Sequence, residues 1–431
     1  MGLNYTASQG LEKMAGEAVR EKKRGQAPKR RLLGRSIGPK GKGKRSIGRK
    51  RLSATKPVTA VIVAMNHEKS IAGVLKEVRR LPLKETIVII NGSSDRTFKK
   101  ARKNSDGIIV SLPEPLTMEQ IRLLGARLAR TDRLVILHSD LPVTAETLAA
   151  VTAVSESPNI AAPTGEILDN SLLSVNEAVT NTSIIIPTYN GKELLAGCIR
   201  SIREHTGVPH QIIVVDNGST DGTAEFCLQE KVLLISLPQN EGYPRACNLG
   251  MKAADGKNLL LLNNDVVVTK NWLDRLLACL QSDAKTGIVG PMTNYATGKQ
   301  KVPSVPYRGL EGMQRFAEQW NHPDPRRWLQ VNRIVGLCFL MRRTVVETIG
   351  WLDERFSPGY YEDDDYCHRA RLAGYRVMLA GDVFVHHYGS RSFGRGNSRK
   401  RLLLKKNRRK FIGKWGFDPL LLRRRRGRPI V

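Results

Sequence analysis

The sequence predicts an α/β protein built on a largely parallel sheet. Apolar runs of strand length alternate with helical segments through the middle of the 431-residue chain, the pattern of parallel strands joined by helical crossovers. Acidic or polar residues directly follow these runs at Asp216, at Asn263-Asn264-Asp265 and at the acidic cluster 362–365. Ligands bind outside the carboxyl ends of such strands. Carboxylates at that edge indicate a ligand that carries phosphate and metal.

Periodicity and turn residues predict the elements of this region in order. They are strand 183–187, helix 193–204, strand 211–216, helix 221–229, strand 232–237, helix 244–254 and strand 258–262. Gly256 lies where a glycine can cap the last helix. A buried strand is predicted at 334–341, and the acidic cluster is predicted to begin a helix that ends at Gly374.

An internal repeat precedes this region. Residues 86–97 match residues 212–223, and residues 134–140 match residues 259–265, at nearly constant spacing. The earlier copy keeps one acid, Asp140, and differs at three functional positions: Ile90 for Asp216, Leu123 for Asn248 and His138 for Asn263. An apolar side chain cannot accept a hydrogen bond from a nucleotide base. We therefore predict that the earlier copy packs or holds an acceptor and has no reaction of its own.

The basic charge of the chain lies in its two tails. Of the net charge of +30, residues 1–57 contribute 17 Lys and Arg against 3 acids, and residues 399–431 contribute 14 against 1. The first tail is rich in glycine and is predicted to be disordered. The last tail mixes leucines, Phe411 and Trp415 with cations, which predicts an amphipathic helix on an anionic membrane surface or on the globular body, or else a solvated charged end. No nucleic-acid-binding motif accompanies the charge, so no specific nucleic acid is expected.

Hydropathy and cysteine spacing bear on location. No apolar run approaches the roughly 20 residues that span a bilayer, and the amino terminus lacks the apolar core of a signal peptide. We expect a cytoplasmic protein, with peripheral association at the inner membrane face left open. The six cysteines include no Cys-x-x-Cys pair, so reduced, partly buried thiols are expected.

Six motifs in order resemble the family 2 glycosyltransferases of the GT-A fold. They are Pro187-Thr188-Tyr189-Asn190, residues 215–223, Asn240-Glu241-Gly242 with Asn248, Asn263-Asn264-Asp265, residues 361–369 and residues 385–390. The resemblance implies a GT-A (Rossmann-like) nucleotide-diphospho-sugar transferase domain preceded by a degenerate GT-A-like half-domain. The predicted boundaries are a basic disordered tail at 1–56, the degenerate domain at 57–165, the catalytic domain at 180–395 and a basic tail at 396–431.

The resemblance also implies a set of donor-binding residues. The nucleotide-sugar site would contain Pro187, Thr188, Asn190, Asp216, Asn240, Gly242, Asn248, Asn263 and Asn264. Asp216 would accept a hydrogen bond from the base, and Gly242 would allow the donor to pass close to the backbone. Structural alternatives stay open: Pro187 and Asn190 as turn formers, and Asp216 as a cap for the helix near residue 221.

The departing diphosphate requires a Lewis acid, so Mg²⁺ or Mn²⁺ is the expected cofactor. Asp265 is the predicted metal ligand, together with His386 or His387, which resemble the family's late metal-binding histidine. The spacing does not choose between the two histidines, and hydrogen-bonded loop histidines are the alternative. Asn263 stands where the family pattern usually has another acid.

A base must remove the proton from the attacking hydroxyl. By resemblance this base is Asp363, while Glu362 and Asp365 would hold the acceptor or orient the loop, and Asp364 is expected to be solvated. Acids in a first helical turn are also favoured by the helix dipole, by about 0.3 to 1 kcal/mol, which is the structural alternative for one or two of them.

The resemblance implies an inverting, metal-dependent glycosyltransferase of hexosyltransferase type, acting in cell-surface polysaccharide or glycoconjugate synthesis. The expected donor is a UDP or dTDP sugar, and the acceptor is a saccharide, a lipid-linked molecule or a protein. Two alternatives remain. One is a nucleotidyltransferase-like nucleotide-sugar enzyme, which attacks phosphorus instead of carbon, and the other is a non-catalytic scaffold that binds polyanions.

Overall fold

A computed structural model describes residues 57–144, 146–147, 165–169, 182–389, 398–424 and 428–429. The tail predicted at 1–56 lies outside them. The strands are β1 (Val58–Ala64), β2 (Glu85–Asn91), β3 (Ile108–Leu112), β4 (Arg133–His138), β5 (Gly165–Asp169), β6 (Thr182–Thr188), β7 (His210–Asp216), β8 (Leu233–Ser236), β9 (Asn258–Leu262), β10 (Val266–Val267), β11 (Thr286–Thr293), β12 (Trp328–Val331), β13 (Cys338–Arg342), β14 (Arg376–His387) and β15 (Arg428–Pro429).

Helices cover the sheet between these strands. The α-helices are α1 (Ile71–Val78), α2 (Thr97–Asn104), α3 (Met118–Leu128), α4 (Lys192–His205), α5 (Thr223–Gln229), α6 (Tyr243–Ala253), α7 (Trp272–Gln281), α8 (Gly309–Trp320), α9 (Arg343–Ile349), α10 (Glu362–Leu372), α11 (Ser398–Trp415) and α12 (Leu420–Arg424). Short 3₁₀ helices occupy Gly298–Gln300, Pro325–Arg327 and Glu354–Phe356.

The described strands form one mixed sheet in the order β15-β12-β14-β11-β13-β9-β6-β7-β8-β3-β2-β1-β4-β5, with β10 paired to β14. Strands β6 to β9 confirm the four strands predicted in the middle of the chain. The parallel pairs β6–β7, β7–β8 and β6–β9 align their carboxyl ends at one edge of the sheet. Every residue of β1 and of β6 is buried, as expected for parallel strands covered on both faces.

The internal repeat extends to individual hydrogen bonds. Asn66 and Asn190 both have positive φ, 55° and 47°. The side-chain oxygen of Asn66 accepts from the Ser94 amide at 2.9 Å, and that of Asn190 accepts from the Thr220 amide at 2.8 Å. The same correspondence joins Asn91 to the Leu116 amide and Asn217 to the Glu241 amide. The two copies therefore share their loop architecture as well as their strand order.

The two copies meet edge to edge through their third strands. β3 pairs with β8 in an antiparallel manner, with Ile109 opposite Ser236 and Ser111 opposite Leu234. An antiparallel pairing of equivalent strands relates the copies by an approximate two-fold rotation. The amino ends of the first copy's strands consequently lie beside the carboxyl ends of the second copy's strands.

The helix α11 covers part of the predicted basic tail and packs on the folded body. Its residues Asn407 and Phe411 are fully buried. In the described part of the chain, no helix combines the length and the apolar character needed to cross a bilayer. All six cysteines are buried free thiols, which agrees with the sequence-based expectation.

Candidate active site

The residues predicted to recognise the base lie where β6, β7 and β8 finish. Strand register places Thr188 opposite Asp216 and Asp216 opposite Ser236. The Asp216 side chain is fully buried; its Oδ1 accepts from the Ser219 amide at 2.9 Å and its Oδ2 from the Ser236 hydroxyl at 3.3 Å. Burial raises the pKa of Asp216, and these hydrogen bonds oppose the shift. The Asp216 carboxylate thus caps the turn that follows β7, which is the structural alternative. Its role in base recognition stays a prediction.

Asn190 joins the two loops that border this end. Its amide donates to the Ser219 hydroxyl at 2.9 Å, and its side-chain oxygen accepts from the Thr220 amide at 2.8 Å. Pro187 is a buried residue within β6. Asn190 therefore has the turn-forming role of the structural alternative, whereas Pro187 lies within the strand, opposite Val215.

The loop 238–242 contacts the segment that leads into the acidic helix. Asn240 is exposed and accepts from the Gly242 amide at 2.9 Å. Gly242 has a φ of 92°, and a Cβ here would lie 2.7 Å from Ser357 Oγ and 3.0 Å from Pro358 Cα. A side chain at position 242 would therefore overlap the chain's own segment 357–358. This reason for glycine differs from the predicted close approach of the donor.

Asn248 is fully engaged in hydrogen bonds within the protein. Its amide nitrogen donates to Leu352 O and Glu354 Oε1, each at 2.9 Å, and its oxygen accepts from the Leu352 amide at 2.9 Å. The side chain is buried. Asn248 therefore holds the segment 352–354 against α6, and its predicted part in donor binding stays a prediction.

Asp265 and His387 form the candidate metal-binding pair. β10 pairs with β14 so that Val266 lies opposite His387, and His387 Nε2 lies 3.1 Å from Asp265 Oδ1. His387 Nδ1 is 2.8 Å from Tyr295 O, which orients the ring. Burial lowers the pKa of His387, but the hydrogen bond and charge of Asp265 outweigh it, so the pKa is raised.

His386 points to the opposite face of β14, because successive strand residues alternate in direction. Its Nδ1 is 2.7 Å from the Tyr307 hydroxyl. Burial, followed by the charge of His387, lowers the pKa of His386. The two adjacent histidines are therefore separated by strand register, and only His387 contacts Asp265.

Asn263 and Asn264 connect this pair to its surroundings. Asn264 is buried and donates to the Thr188 hydroxyl at 2.9 Å. The Asn263 backbone N–H donates to Leu337 O at 2.9 Å, and the Asn263 side chain is half-buried. Among the described residues, no three His, Cys, Asp or Glu side chains cluster as a complete metal site.

Asp363 lies at the start of α10 and is held by a neighbouring segment. The Gly336 amide donates to Asp363 Oδ2 at 3.1 Å, and Arg333 Nη2 lies 3.6 Å from the same oxygen. The Tyr243 hydroxyl donates to Gly336 O at 2.9 Å. The segment 333–337 therefore joins α6 of the donor half to the acidic helix.

The four adjacent acids have distinct environments. Asp363 alone among them is not buried. Asp364, expected to be solvated, is instead 1% exposed and lies 3.1 Å from Arg333 Nε. Glu362 is buried, and burial, followed by the charge of Asp363, raises its pKa well above the usual value. The raised pKa of Glu362 and the ion pair of Asp364 with Arg333 reduce the repulsion that four carboxylates in sequence would cause.

Asp365 belongs to the contact between α10 and α11. It is fully buried and is bonded by Arg369 Nε at 2.9 Å, Trp415 Nε1 at 2.8 Å and Lys414 Nζ at 2.6 Å. These three donors supply its hydrogen bonds from within the protein. We therefore assign Asp365 to orienting the loop, the second of the two roles predicted for it.

The turn before α10 contains two tyrosines in the left-handed region. Tyr360 and Tyr361 have φ of 77° and 75°, a conformation that costs roughly 1 to 3 kcal/mol for each such residue. Asn407 of α11 donates to Phe356 O at 2.6 Å and to Gly359 O at 2.8 Å. The carboxyl-terminal helix thus supports the strained turn that presents Asp363.

Sequence reasoning missed Tyr243 and Arg333. Arg333 is a cation next to the apolar run 334–341, and a buried arginine requires an acidic partner, so its position was a usable signal. Tyr243 follows Gly242 directly but has no distinguishing spacing.

A cavity of about 860 Å³ lies elsewhere, between the two copies. Its lining includes Leu112, Leu124, His210 and Leu233. It contains none of the predicted site residues. The cavity therefore belongs to the contact between copies and not to the candidate active site.

Comparison with known families decides the class of protein. The family described as glycosyl transferase family 2 matches residues 59–170 and again residues 183–350. The chain belongs to glycosyl transferase family 2. Both copies of the repeat fall within these matches, and the predicted family and the α/β fold are confirmed.

Curated family 2 relatives are similar over about half of this chain. The glycosyltransferase AglE of Haloferax volcanii is 28% identical over 56% of this chain and 76% of its own length. An N-acetylglucosaminyl-diphospho-decaprenol L-rhamnosyltransferase of Mycobacterium tuberculosis is 26% identical over 49% of this chain and 77% of its own. The O-antigen biosynthesis protein RfbC of Myxococcus xanthus is 30% identical over 49% of this chain, but the match spans only 17% of that protein.

Among solved structures, the mannosyltransferase PcManGT from Pyrobaculum calidifontis, in complex with GDP-Man and Mn²⁺, is similar to this family 2 chain. It is 19% identical, with a TM-score of 0.42, over 57% of this chain and 68% of that chain.

Proposed function

We propose that this chain is an inverting hexosyltransferase whose reaction takes place in the crevice of the second copy. A series of contacts between distant segments supports the proposal most directly. Asp216 pairs in register with Thr188, the Thr188 hydroxyl bonds Asn264, the Asn263 amide bonds Leu337, and the Gly336 amide bonds Asp363. Base recognition, metal binding and proton removal can therefore share one edge of the sheet.

Asp265 and His387 would hold Mg²⁺ or Mn²⁺. One carboxylate and one imidazole would leave other coordination positions to diphosphate oxygens and water. The carboxylate suits either cation, and imidazole is a reasonable ligand for Mn²⁺. The bound cation would supply Lewis-acid stabilisation of the departing diphosphate. Because Asn263 supplies no charge, Asp265 would be the negatively charged ligand of the cation.

Asp363 would act as the general base. The acceptor oxygen forms a bond to the anomeric carbon while Asp363 takes its proton, and the bond from that carbon to the diphosphate oxygen breaks with inversion. The Gly336 amide and the Arg333 guanidinium both lie next to Asp363 Oδ2 and hold the carboxylate in position. Burial raises the pKa of Glu362, and in its protonated form Glu362 would add no second charge beside Asp363 and would donate a hydrogen bond to the acceptor.

The proposed donor is a nucleoside-diphosphate sugar of UDP or dTDP type, and the proposed acceptor is lipid-linked, in cell-surface polysaccharide or glycoconjugate synthesis. The names of two relatives, an O-antigen biosynthesis protein and a decaprenol-linked rhamnosyltransferase, support this choice. A saccharide or protein acceptor is the alternative that acceptor assays distinguish.

An anionic membrane surface is the proposed partner of α11. Its solvent-facing side combines Arg401, Lys405, Lys406 and Arg409 with the exposed Leu402. Cations interleaved with exposed apolar side chains suit the interface of an anionic bilayer. Because the opposite side of α11 supports the turn before Asp363, a membrane-bound α11 would bring the site close to a lipid-linked acceptor.

The test is a screen of UDP, dTDP and GDP sugars for hydrolysis by the purified chain, with EDTA and with Mn²⁺. We expect one donor class to be hydrolysed only with the cation. Asp265→Asn should abolish the activity, whereas Asp140→Asn, the exposed counterpart in the first copy, should retain it. A product with a new nucleotide–sugar bond would select the nucleotidyltransferase alternative. Polyanion binding without any donor turnover would select the scaffold.

A further inference from the structure

One cation of the first copy lies at the donor edge of the second copy. Arg102, near the end of α2, donates to the backbone oxygen of Ser219 and, at 3.2 Å, to Glu225 Oε1. Its Nη2 lies 3.6 Å from Asp216 Oδ2. The Arg102 side chain is 27% exposed, whereas that of Asp216 is fully buried.

The approximate two-fold relation explains why an α2 residue reaches this place. α2 ends near the amino ends of the first copy's strands, which lie beside the carboxyl ends of the second copy's strands. By the spacing of the repeat, the counterpart of Arg102 in α5 is Leu228. The first copy has Ile90 where the second has Asp216. The cation and the acid are therefore each present in one copy only, and they meet across the interface.

The chemistry of Asp216 requires such a partner. Its side-chain oxygens otherwise accept from the neutral Ser219 amide and the neutral Ser236 hydroxyl. A buried carboxylate with only neutral partners is strongly disfavoured in its ionised form. Only the ionised form leaves both oxygens able to accept a hydrogen bond from a nucleobase N–H.

We infer that Arg102 is a positioning residue for donor recognition, which keeps the Asp216 carboxylate ionised and oriented for a nucleobase that presents a ring N–H. The inference rests on the proposed function and deepens it, because it assigns the first copy a part in the second copy's nucleotide site. The ligand class is a nucleoside diphosphate with a uracil-, thymine- or guanine-type edge. The first copy completes the donor pocket without a reaction of its own.

The test compares two substitutions with a matched control. Arg102→Gln removes the charge but keeps an N–H donor for Ser219 O, while Arg102→Lys keeps the charge. The control is Arg127→Gln, which removes another ion pair between the copies, 2.9 Å from Asp255. Dissociation constants for UDP, dTDP and GDP are measured by calorimetry with Mn²⁺, and donor KM and kcat are measured with the sugar that the chain uses.

We expect Arg102→Gln to weaken binding of the preferred nucleotide and to raise donor KM about tenfold, the scale of one charge-assisted interaction. At saturating donor its kcat should stay within about twofold of wild type, because α10 is unchanged. Arg102→Lys should recover part of the affinity, and Arg127→Gln should bind as wild type does.

Wild-type affinity in Arg102→Gln would overturn the inference while leaving the proposed function standing. Equal losses in Arg102→Gln and Arg127→Gln would also overturn it, because they would reflect only the contact between copies. A wild-type chain that binds none of the three nucleotides would instead refute the proposed function itself.

Discussion

Single side chains in the acidic helix are distinguished by partners that come from distant parts of the chain. Arg333 approaches Asp363 and Asp364, whereas Lys414 and Trp415 bond Asp365. Four adjacent carboxyl groups thus differ in their partners and in their exposure. The residue left accessible, Asp363, is the one that the family resemblance assigns as the base.

Glu362→Gln tests the buried neutral acid. The folded-state pKa of Glu362 lies well above its usual value of 4.5, so above about pH 4.5 the folded chain keeps a proton that the unfolded chain has lost. The free energy of unfolding of the wild type therefore falls as pH rises, and the glutamine variant lacks this loss. We expect Glu362→Gln to be more stable than wild type at pH 8 by about 1 kcal/mol or more, with a smaller difference at pH 5.5, by urea unfolding.

The matched control is Glu311→Gln, a first-turn glutamate of α8 whose side chain is 85% exposed. It should remain within about 0.5 kcal/mol of wild type at both pH values. A stability difference between Glu362→Gln and wild type that does not change with pH would show that Glu362 is ionised in the folded state.

For single residues, the sequence predicted which side chains belong to the candidate site but not the surroundings of each side chain. Asp216, Asp265 and Asp363 follow from motif and strand-end position. The choice between His386 and His387 depends on strand register, and the burial of Asp364 depends on Arg333, 31 residues earlier. Both are contacts between distant segments, which local sequence patterns do not encode.

Among the elements, α3 and α6 pack closely on the first strand of their own copies through an equivalent glycine. A Cβ at Gly125 would lie 2.9 Å from Val61 Cγ2, and a Cβ at Gly250 would lie 2.3 Å from Ile185 Cγ2. The repeat alignment pairs these two glycines. The close packing that they allow fixes the depth of α6, which also contributes Tyr243 to the site.

Gly250→Ala should destabilise the protein, because the added methyl group would overlap the Ile185 side chain. Overpacking of this kind typically costs about 1 to 3 kcal/mol, measurable by urea unfolding. Gly197→Ala in α4 is the control, since nothing lies within 4 Å of its Cβ position. It should raise stability by up to about 1 kcal/mol, as alanine favours a helix. A neutral Gly250→Ala would contradict the close packing.

Elements with strong periodicity were the predictable ones. The strands β6 to β9 and the helices between them were predicted from apolar runs and turn residues. The two-residue strand β10 was not, although it aligns His387 with Asp265, because its existence depends on pairing with β14. A helix packed on the globular body was one of three alternatives for the last tail, and the burial of Phe411 in α11 shows this packing. Membrane association of the exposed side of α11 stays a proposal.

In the whole molecule, two copies of one half-domain form one continuous sheet, and the predicted site residues belong to the second copy and the segments that follow it. The repeat and its drift were predictable from aligned residues. The antiparallel pairing of β3 with β8 was not, because edge pairing depends on contacts between residues more than 120 positions apart. That pairing places Arg102 beside Asp216.

Vesicle sedimentation of the full chain tests the proposed membrane association. We expect the full chain to bind phosphatidylglycerol-containing vesicles, to bind pure phosphatidylcholine vesicles weakly, and to dissociate as salt rises. Replacement of Arg401, Lys405, Lys406 and Arg409 by Gln should weaken binding, at about 1 kcal/mol for each cation. Replacement of four exposed lysines outside α11, Lys76, Lys99, Lys231 and Lys301, by Gln is the charge-matched control. Equal losses in both variants would assign binding to net charge alone.

The most direct measurement compares turnover and nucleotide binding in Asp363→Asn. Asparagine preserves the size of the side chain but cannot take the proton of the attacking hydroxyl. We expect turnover of the donor identified in the screen to fall by about 10² to 10⁴, while the dissociation constant of the nucleoside diphosphate with Mn²⁺ stays within about threefold of wild type. Turnover near the wild-type value, or loss of nucleotide binding in a folded variant, would contradict the assignment of Asp363 as the base of this site.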